Sequence, residues 1–152
     1  MSYMIAAIPM LLYTAALILG LTGTPLGFAD QSLPPLAQWI LFLSLGIQSL
    51  WAAFAHSMMR QRVADSIGWD ASPFQLEIAG ANLGIGLGAI AASMLGGPAA
   101  WAIFFVSAGF LWSAAATHLK DMFSEANFAI NNAGPIFWWD LLTPLTLLIA
   151  IW

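Results

Sequence analysis

The sequence predicts an all-α, polytopic membrane helix bundle with five transmembrane helices, formed as a single domain over residues 1–152. Hydrophobic residues make up 61% of the chain and charged residues 7%, whereas soluble domains carry about 25% charged residues. The mean hydropathy is +0.87. Five apolar stretches have about the length that a bilayer requires of a helix, and proline or glycine marks most of their ends.

The composition also excludes several classes of function. The chain has no cysteine, which rules out disulfides, thiolate catalysis and cysteine-ligated zinc or iron–sulfur sites. Three basic residues stand against seven acidic ones, for a formal net charge of −4. A chain without a basic patch is not built to bind nucleic acid, so we expect no nucleic-acid partner.

The predicted spans follow one another along the whole chain. They cover residues 4–23, 34–59, 73–96, 98–119 and 135–152. Four of the five begin with proline, which suits the first turn of a helix because its missing N–H would have no intrahelical partner there. We find no room for a separate soluble domain.

Local signals set the ends of the later spans. Ser72 and Gln75 have the spacing of a capping box, which predicts a helix start at Pro73. The Gly-Gly-Pro stretch at 96–98 predicts a tight reversal, so the third and fourth spans should form an antiparallel hairpin. The Asn-Asn-Ala-Gly stretch at 131–134 is a turn cluster that introduces the fifth span.

The first span has an alternative interpretation as a signal peptide. Residues 27–29 read Gly-Phe-Ala, a small-x-small pattern of the kind that signal peptidases cleave, directly before Asp30. No lysine or arginine precedes the apolar run, however, and signal peptides begin with positive charge. We therefore interpret it as a span; cleavage would leave four.

The basic residues predict the orientation. Arg60 and Arg62 follow the second span and Lys120 follows the fourth, so with five spans all three lie on one side. Positive charge is retained in the cytoplasm. We expect a multi-pass protein of the inner, cytoplasmic membrane with its N-terminus in the cytoplasm and its C-terminus outside.

Ionisable side chains gather near the cytoplasmic ends of the predicted spans. They are His56, Glu77, His118, Asp121 and Asp140. Charge is costly inside a membrane, and such residues usually face the interior of a bundle or a wet cavity. We therefore expect Glu77, His118 and Asp140 to converge on one polar site, with His56 and Asp121 beside them.

Histidine and carboxylate together suggest several ligands. Glu77, His118, Asp140, His56 and Asp121 are candidate ligands of a divalent metal such as zinc, iron or manganese. Alternatively, His56 and His118 lie on different spans and could ligate a haem iron from both sides, or one of them the magnesium of bacteriochlorophyll. A third interpretation makes them hydrogen-bonded residues of the membrane interface.

The third span carries a row of small residues. Gly80, Gly84 and Gly88 recur every four residues and share a helical face with Glu77. Such a face is smooth enough for another helix to approach closely. The groove could be filled from within the chain or by a neighbouring subunit.

Two other structural features stand out. Gln75 and Asn82 lie on a different face of the third span and are expected to make interhelical hydrogen bonds. In the fifth span, Pro144 cannot donate to the carbonyl of Asp140, so the helix should bend and leave that oxygen free. A free carbonyl beside a carboxylate could hold a cation; an ordinary proline kink is the alternative.

Two segments of the chain resemble a known group of proteins. They are SPFQLEIAGANLGIG and HLKDMFSEANFAINNAGPIFWWDLLTP, within residues 68–144. These segments are similar to those of a family of small bacterial inner-membrane proteins with no assigned function. The resemblance implies that a set of polar residues works together, namely Gln75, Glu77, Asn82, His118, Asn132, Gly134 and Asp140. It implies no substrate.

Three functions are compatible with these observations. The first is a protein that binds or conducts a cation or a small polar molecule near the cytoplasmic face. The second is an accessory subunit of a larger respiratory or photosynthetic membrane complex, in contact with lipid and with other subunits or with copies of itself. The third is an intramembrane enzyme acting on a lipid or quinone, with Glu77 as general base.

Overall fold

The described part of the protein folds into six helices. The computed structural model describes the backbone of residues 2–152 and the side chains of residues 7–152. The helices are α1 (Ser2–Leu21), α2 (Pro35–Met58), α3 (Arg60–Ile67), α4 (Phe74–Leu95), α5 (Gly97–Ser124) and α6 (Pro135–Ile151). Helix accounts for 78% of the chain, and no strand occurs in the described part. The all-α prediction is confirmed.

Three helices are long and apolar enough to cross a membrane, namely α2, α4 and α5. Helix α6 is apolar but has 17 residues, which span about 26 Å at 1.5 Å per residue against a hydrocarbon core of about 30 Å. Helix α1 is apolar over the part whose side chains are described, Ala7–Leu21; residues 4–6 of the predicted first span lie outside that part. Three of the five predicted spans are therefore helices that could cross a membrane, and the count of five spans stays a prediction.

The predicted hairpin between α4 and α5 turns at Gly96. This residue has a φ of +86°, which glycine adopts without strain. A Cβ atom there would lie 2.6 Å from Oδ2 of Asp30. Asp30 also donates its backbone N–H to the carbonyl of Ser93, so the loop after α1 closes over the turn. Hydrogen bonds from Ser32 lower the pKa of Asp30.

The predicted capping box at the start of α4 is wrong. Pro73 is the N-cap residue and no side chain caps the helix. The backbone N–H of Gln75 donates to the carbonyl of Ser72 at 3.2 Å, while the Gln75 side chain is buried. Burial turns this amide away from the helix end that it was expected to cap.

Helix α3 is an amphipathic helix that the hydropathy pattern did not predict. Its buried face includes Val63 and Ile67, while Arg60 and Arg62 are exposed. The helix is followed by Gly68, its C-cap residue, which has a φ of +84°. The end of the bundle that carries these arginines and Lys120 is called the basic end below, and the end that carries Gly96 is called the hairpin end.

Helix α2 contains a π-helical segment over Ile40–Ile47. Such segments are uncommon in proteins, and those that occur are often found at functional sites. The half of α2 before it packs against α1, and the half after it packs against α4. The wide segment thus joins two halves of one helix that face different neighbours.

An apolar core fills the bundle from its middle to the hairpin end. Helix α4 packs against α2 and α5, α6 packs against α5 and α1, and the π-helical segment contacts both α4 and α6. Core residues with at most 5% exposure include Leu41, Leu45, Ile85, Phe104, Leu111 and Leu147. This core leaves the basic end as the place where polar side chains meet.

Helices α2 and α4 approach each other closely through two glycines. A Cβ atom on Gly86 would lie 3.0 Å from the carbonyl oxygen of Gly46 and 2.9 Å from Cδ2 of Leu50. A Cβ atom on Gly46 would lie 2.7 Å from Cγ1 of Ile90. The face of α4 that carries Gly86 is therefore the face that packs against α2.

The predicted glycine groove is not filled from within the chain along most of its length. A Cβ atom on Gly80 or Gly84 would meet nothing within 4 Å, and both residues are exposed. Gly88 alone is close to another helix, since its Cβ would lie 2.9 Å from Cδ1 of Ile103. The groove therefore forms an outer face of the bundle.

Candidate functional site

A cavity of about 340 Å³ lies in the basic half of the bundle. Helices α2, α4, α5 and α6 form its walls, and α3 with the loop before α6 lines its basic end. Its apolar lining includes Trp51, Ala52, Ile67, Ile78, Phe110 and Trp139. Its polar lining includes Gln48, His56, Asn82, His118, Asn131 and Asp140. We call it the basic-half cavity.

His118 and Asp140 form the polar centre of the cavity. His118 projects from α5 and is 5% exposed; Asp140 projects from α6 and is 3% exposed. Nε2 of His118 lies 3.7 Å from Oδ2 of Asp140. This distance exceeds that of a direct hydrogen bond, which joins such atoms at 2.7–3.2 Å. The structure thus brings together two of the three residues expected to converge.

Asn132 fixes the orientation of the His118 ring. The Asn132 amide nitrogen donates to the carbonyl of Asn127 at 2.7 Å, so the amide oxygen is the atom that faces His118. That oxygen lies 2.7 Å from Nδ1 of His118. Nδ1 must therefore carry the proton of this hydrogen bond, which follows from the network around Asn132. In the neutral ring, Nε2 then presents its lone pair toward Asp140.

Trp69 covers the other side of the imidazole. The two rings are stacked, with centroids 5.4 Å apart and planes inclined by 13°. The indole Nε1 of Trp69 donates to Oδ2 of Asp121 at 2.8 Å, and Asn127 donates to the same oxygen at 2.6 Å. Asp121 therefore holds Trp69 in place from outside the basic-half cavity and does not line it.

The wall that carries Asp140 is anchored to α2 on both sides. Trp139 donates from Nε1 to the carbonyl of Ser44 at 2.9 Å. Thr143, one turn further along α6, shares a hydrogen bond of 2.8 Å with the hydroxyl of Ser44. Because Ser44 lies in the π-helical segment, that segment holds a residue on either side of Asp140.

Pro144 lies inside α6, as the sequence indicated, and is buried. A proline disturbs the carbonyls of the preceding turn. Trp112 of α5 donates from its indole to the carbonyl of Leu141 at 3.3 Å. The neighbouring helix therefore supplies a hydrogen bond within the disturbed turn, and cation binding by the Asp140 carbonyl stays a prediction.

Four buried polar atoms around the cavity have no hydrogen-bond partner among the described residues. They are Oε1 of Gln48, Nδ1 of His56, Oδ1 of Asn131 and Oδ2 of Asp140. A buried polar atom without a partner costs about 1–3 kcal/mol. Their concentration around one cavity is the strongest chemical feature of the molecule.

Glu77 does not join this group. Its side chain is exposed and is absent from the cavity lining. Glu77 and Asn82 are five residues apart on α4, which corresponds to about 140° around a helix. Because Asn82 faces the cavity, Glu77 faces away from it. The expectation that Glu77 converges on His118 and Asp140 is therefore wrong.

The predicted metal site finds no support in the described residues. Among residues 7–152, no group of three or more histidine, aspartate or glutamate side chains is placed to hold a metal ion. His118 and Asp140 supply two donors. His56 lines the same cavity, so both histidines of the haem or bacteriochlorophyll alternative share one space, and that alternative stays a prediction.

The two buried amides of α4 do not make the expected interhelical bonds. Asn82 donates its amide N–H to the carbonyl of Ile78 on its own helix, at 3.0 Å. Oε1 of Gln75 has no partner in the part of the chain that the structure describes, and Gln75 does not line the cavity. Asn82 is thus a cavity residue, whereas Gln75 is a buried amide outside it.

Several cavity residues were not singled out as candidates from the sequence. Gln48 and Trp139 lie in apolar runs that periodicity alone assigns to the core, and Trp69 lies in a connection. Asn131 was assigned only to a turn, yet it joins α3 by donating to the hydroxyl of Ser66 at 2.9 Å. The adjacent amides of Asn131 and Asn132 were the signal available in the sequence, but asparagine is common in turns and the pair was therefore assigned to one.

The comparisons with known proteins give a family and no relative of known activity. The chain matches a family model described as "Family of unknown function (DUF6790)" over residues 2–152. No curated protein and no solved structure matches it.

Proposed function

The chain belongs to this family of unknown function, and we propose that it is an integral membrane protein that binds a small molecule in the basic-half cavity. Helices α1, α2, α4, α5 and α6 cross the inner membrane, with the basic end in the cytoplasm, following the positive-inside rule. Helix α3 lies at the cytoplasmic interface, where its exposed arginines meet the headgroups.

The cluster of unpartnered polar atoms carries this proposal. Buried polar groups are nearly always hydrogen-bonded, and exceptions call for a specific reason. Here Gln48, His56, Asn131 and Asp140 each hold one such atom at the same cavity. Ordered water or a ligand in this cavity would supply their missing partners, and the apolar walls favour a ligand with an apolar body.

The size and lining of the cavity suit a small organic molecule. Ligand pockets range over about 300–1,000 Å³ and combine apolar walls with a few polar groups. The volume of about 340 Å³ lies at the lower end of that range. Trp51 and Phe110 offer apolar surface, and the polar contacts come from His118 and Asp140. We propose a ligand with an apolar body and one polar group.

Binding is favoured over conduction. The apolar core closes the bundle from its middle to the hairpin end, with Leu41, Leu45 and Leu111 at most 1% exposed. On α2, α4 and α5 the cavity lining reaches no further toward the hairpin end than Gln48, Asn82 and Phe110, whereas a conducting path would have to continue through the bundle. These features favour a binding site over a conducting path.

The proposal is tested by filling the cavity. Ala114 of α5 lines the cavity, whereas Ala116 on the same helix is exposed and does not line it. Protein purified from its native membrane is denatured, and the released small molecules are identified by mass spectrometry. We expect the wild type and the control variant Ala116→Phe to release the same compound. The cavity-filling variant Ala114→Phe should not release it.

Circular dichroism checks that both variants keep their helices. If folded Ala114→Phe releases the same compounds in the same amounts as Ala116→Phe, the cavity is not a binding site and the proposal is refuted. Release of no specific compound from any of the three proteins has the same consequence.

A second proposed role is that of a subunit in a larger membrane assembly. The exposed face with Gly80 and Gly84 has open space at both glycines, and small-residue faces let membrane helices pack closely. The natural chain has no cysteine, so Gly84→Cys provides a single cross-linking site. Gly109→Cys, on an exposed and open position of α5, is the matched control. Equal cross-linking of the two would refute an interface at the glycine face.

The divalent-metal, haem and bacteriochlorophyll alternatives and the enzymatic hypothesis stay predictions. Because Glu77 lies outside the cavity, an enzyme on this fold would use His118 and Asp140 for proton transfer in its place. Metal analysis and a visible absorption spectrum of the same purified protein test the first three.

A further inference from the structure

The free polar atoms of the basic-half cavity are mainly hydrogen-bond acceptors. Oδ1 of Asn131 and Oδ2 of Asp140 are oxygens without a partner among the described residues. Nε2 of His118 adds a lone pair, because Asn132 holds the proton of this ring on Nδ1. A cavity with surplus acceptors is complementary to a ligand that brings donors.

The orientation of Asn131 follows from its neighbours. Ser66 donates its hydroxyl proton to the carbonyl of Val63 at 2.7 Å. The Ser66 oxygen can then only accept from Asn131, so the nitrogen of the Asn131 amide is the atom 2.9 Å away. The free atom of this amide is therefore its oxygen, and reversing the amide would place two acceptors against each other.

The distance between His118 and Asp140 leaves room for one bridging donor. Nε2 and Oδ2 are 3.7 Å apart, and a single nitrogen can lie about 2.8–2.9 Å from both. An ammonium group has several N–H bonds and can donate to both atoms at once, which suits two acceptors on facing helices.

The charges around Asp140 also favour a cation. Among residues 7–152, its only ion-pair contact is with His118. The arginines of α3 and Lys120 are exposed at the basic end. An uncompensated carboxylate is strongly disfavoured in a buried site, and a cationic ligand removes that penalty.

The walls indicate an organic cation in preference to an inorganic one. Trp51, Trp69, Trp139 and Phe110 line the cavity, and aromatic faces attract organic ammonium groups. A bare metal ion would find fewer than three histidine or carboxylate ligands here and would leave most of the apolar wall unused.

Resting on the proposed function, we infer that the ligand is a small primary ammonium compound with an apolar body. Its nitrogen lies between Nε2 of His118 and Oδ2 of Asp140, and its body lies among the tryptophans of the cavity. No covalent step is involved.

The inference is tested with four probes of similar shape and different charge. They are benzylamine, benzyl alcohol, benzoate and benzyltrimethylammonium. Binding to the purified full-length protein is measured at pH 7 through tryptophan fluorescence and by calorimetry. We expect benzylamine to bind about ten- to a hundredfold more tightly than benzyl alcohol, as a charge-assisted hydrogen bond implies, and benzoate not to bind.

Two variants locate the interaction. In Asp140→Asn the preference for benzylamine over benzyl alcohol should disappear, whereas Glu77→Gln, which removes an exposed carboxylate outside the cavity, should keep it. Benzyltrimethylammonium, which has charge but no N–H, should bind more weakly than benzylamine. Equal or tighter binding of this quaternary probe overturns the bridging arrangement.

The outcomes separate this inference from the proposed function. If the amine and the alcohol bind equally, and both bind less to Ala114→Phe, the cavity is a binding site for neutral ligands and the inference is overturned alone. If a native compound is lost from Ala114→Phe but none of the probes binds, the inference is likewise overturned. If Ala114→Phe changes neither native compound nor probe binding, both fail.

Discussion

The orientation of α4 about its own axis decides which of its polar side chains reaches the cavity. Substitutions at two of its glycines test this orientation. Gly86 lies against α2, while Gly84, two residues away, is exposed and has open space. The perturbation is Gly86→Ala, and the matched control is Gly84→Ala. Both changes replace glycine by alanine inside the same helix, so the intrinsic gain in helix propensity, about 0.5–1 kcal/mol, is shared.

The expected difference follows from the approach of α2. The new methyl group at position 86 would lie 2.9 Å from Cδ2 and 3.0 Å from Cγ of Leu50, and 3.0 Å from the carbonyl oxygen of Gly46. The leucine can turn aside, but a backbone carbonyl cannot, so the two helices must move apart by a few tenths of an ångström. Overpacking of this kind costs about 1–3 kcal/mol. Gly86→Ala should therefore be less stable than Gly84→Ala by about that amount.

The free energy of unfolding of both variants is measured by denaturant titration in mixed micelles, with helical circular dichroism as the signal. Equal stability, or a more stable Gly86→Ala, would refute the packing of α4 against α2. It would also reopen the position of Glu77, because rotating α4 to bury its Gly84 face would bring Glu77 inward and carry Asn82 outward.

Three further predictions follow from the site. Asn132→Ala leaves the buried Nδ1–H of His118 without an acceptor and should lower the free energy of unfolding by about 1–3 kcal/mol; no loss in the denaturant titration would contradict the assigned ring orientation. Trp69→Phe keeps an aromatic ring on His118 but loses the bond to Asp121, so we expect a loss of about 0.5–1.5 kcal/mol, with a further loss in Trp69→Ala from the missing stack. Replacing both arginines of α3 by glutamate should reduce the fraction of molecules with the C-terminus outside, as measured by a reporter fused to the C-terminus; an unchanged fraction would contradict the proposed orientation.

Much of the fold could be predicted from sequence because its signals are local. The hairpin at Gly96 and the start of α6 at Pro135 are marked by residues with restricted or unusual backbone conformations. Helix α3 was not predicted because it lies in a polar part of the sequence. Its apolar face has few residues, among them Val63 and Ile67, so the average hydropathy of the segment stays low.

The candidate site was predicted in part. His118 and Asp140 lie at similar distances from the ends of neighbouring helices, so counting residues placed them at one level. Glu77 lies at the same depth by this count, but its side chain is on the face of α4 that points away from the cavity. Three glycines spaced by four pointed to one face, whereas the single pair of Gly46 and Gly86 set the other. Gly46 and Gly86 lie on two helices that are far apart in sequence, so the residue pattern of one helix cannot predict their contact.

The π-helical segment Ile40–Ile47 gives the candidate site a mechanical property. A π-helix pairs each N–H with the carbonyl five residues back, so it holds more residues per turn than an α-helix. Conversion to α-helical pairing would turn Gln48 and His56 around the axis of α2 and detach Ser44 from Trp139 and Thr143. A local change of hydrogen-bond register in α2 would thus rearrange the cavity walls formed by α2 and α6 at the same time, without unfolding any helix.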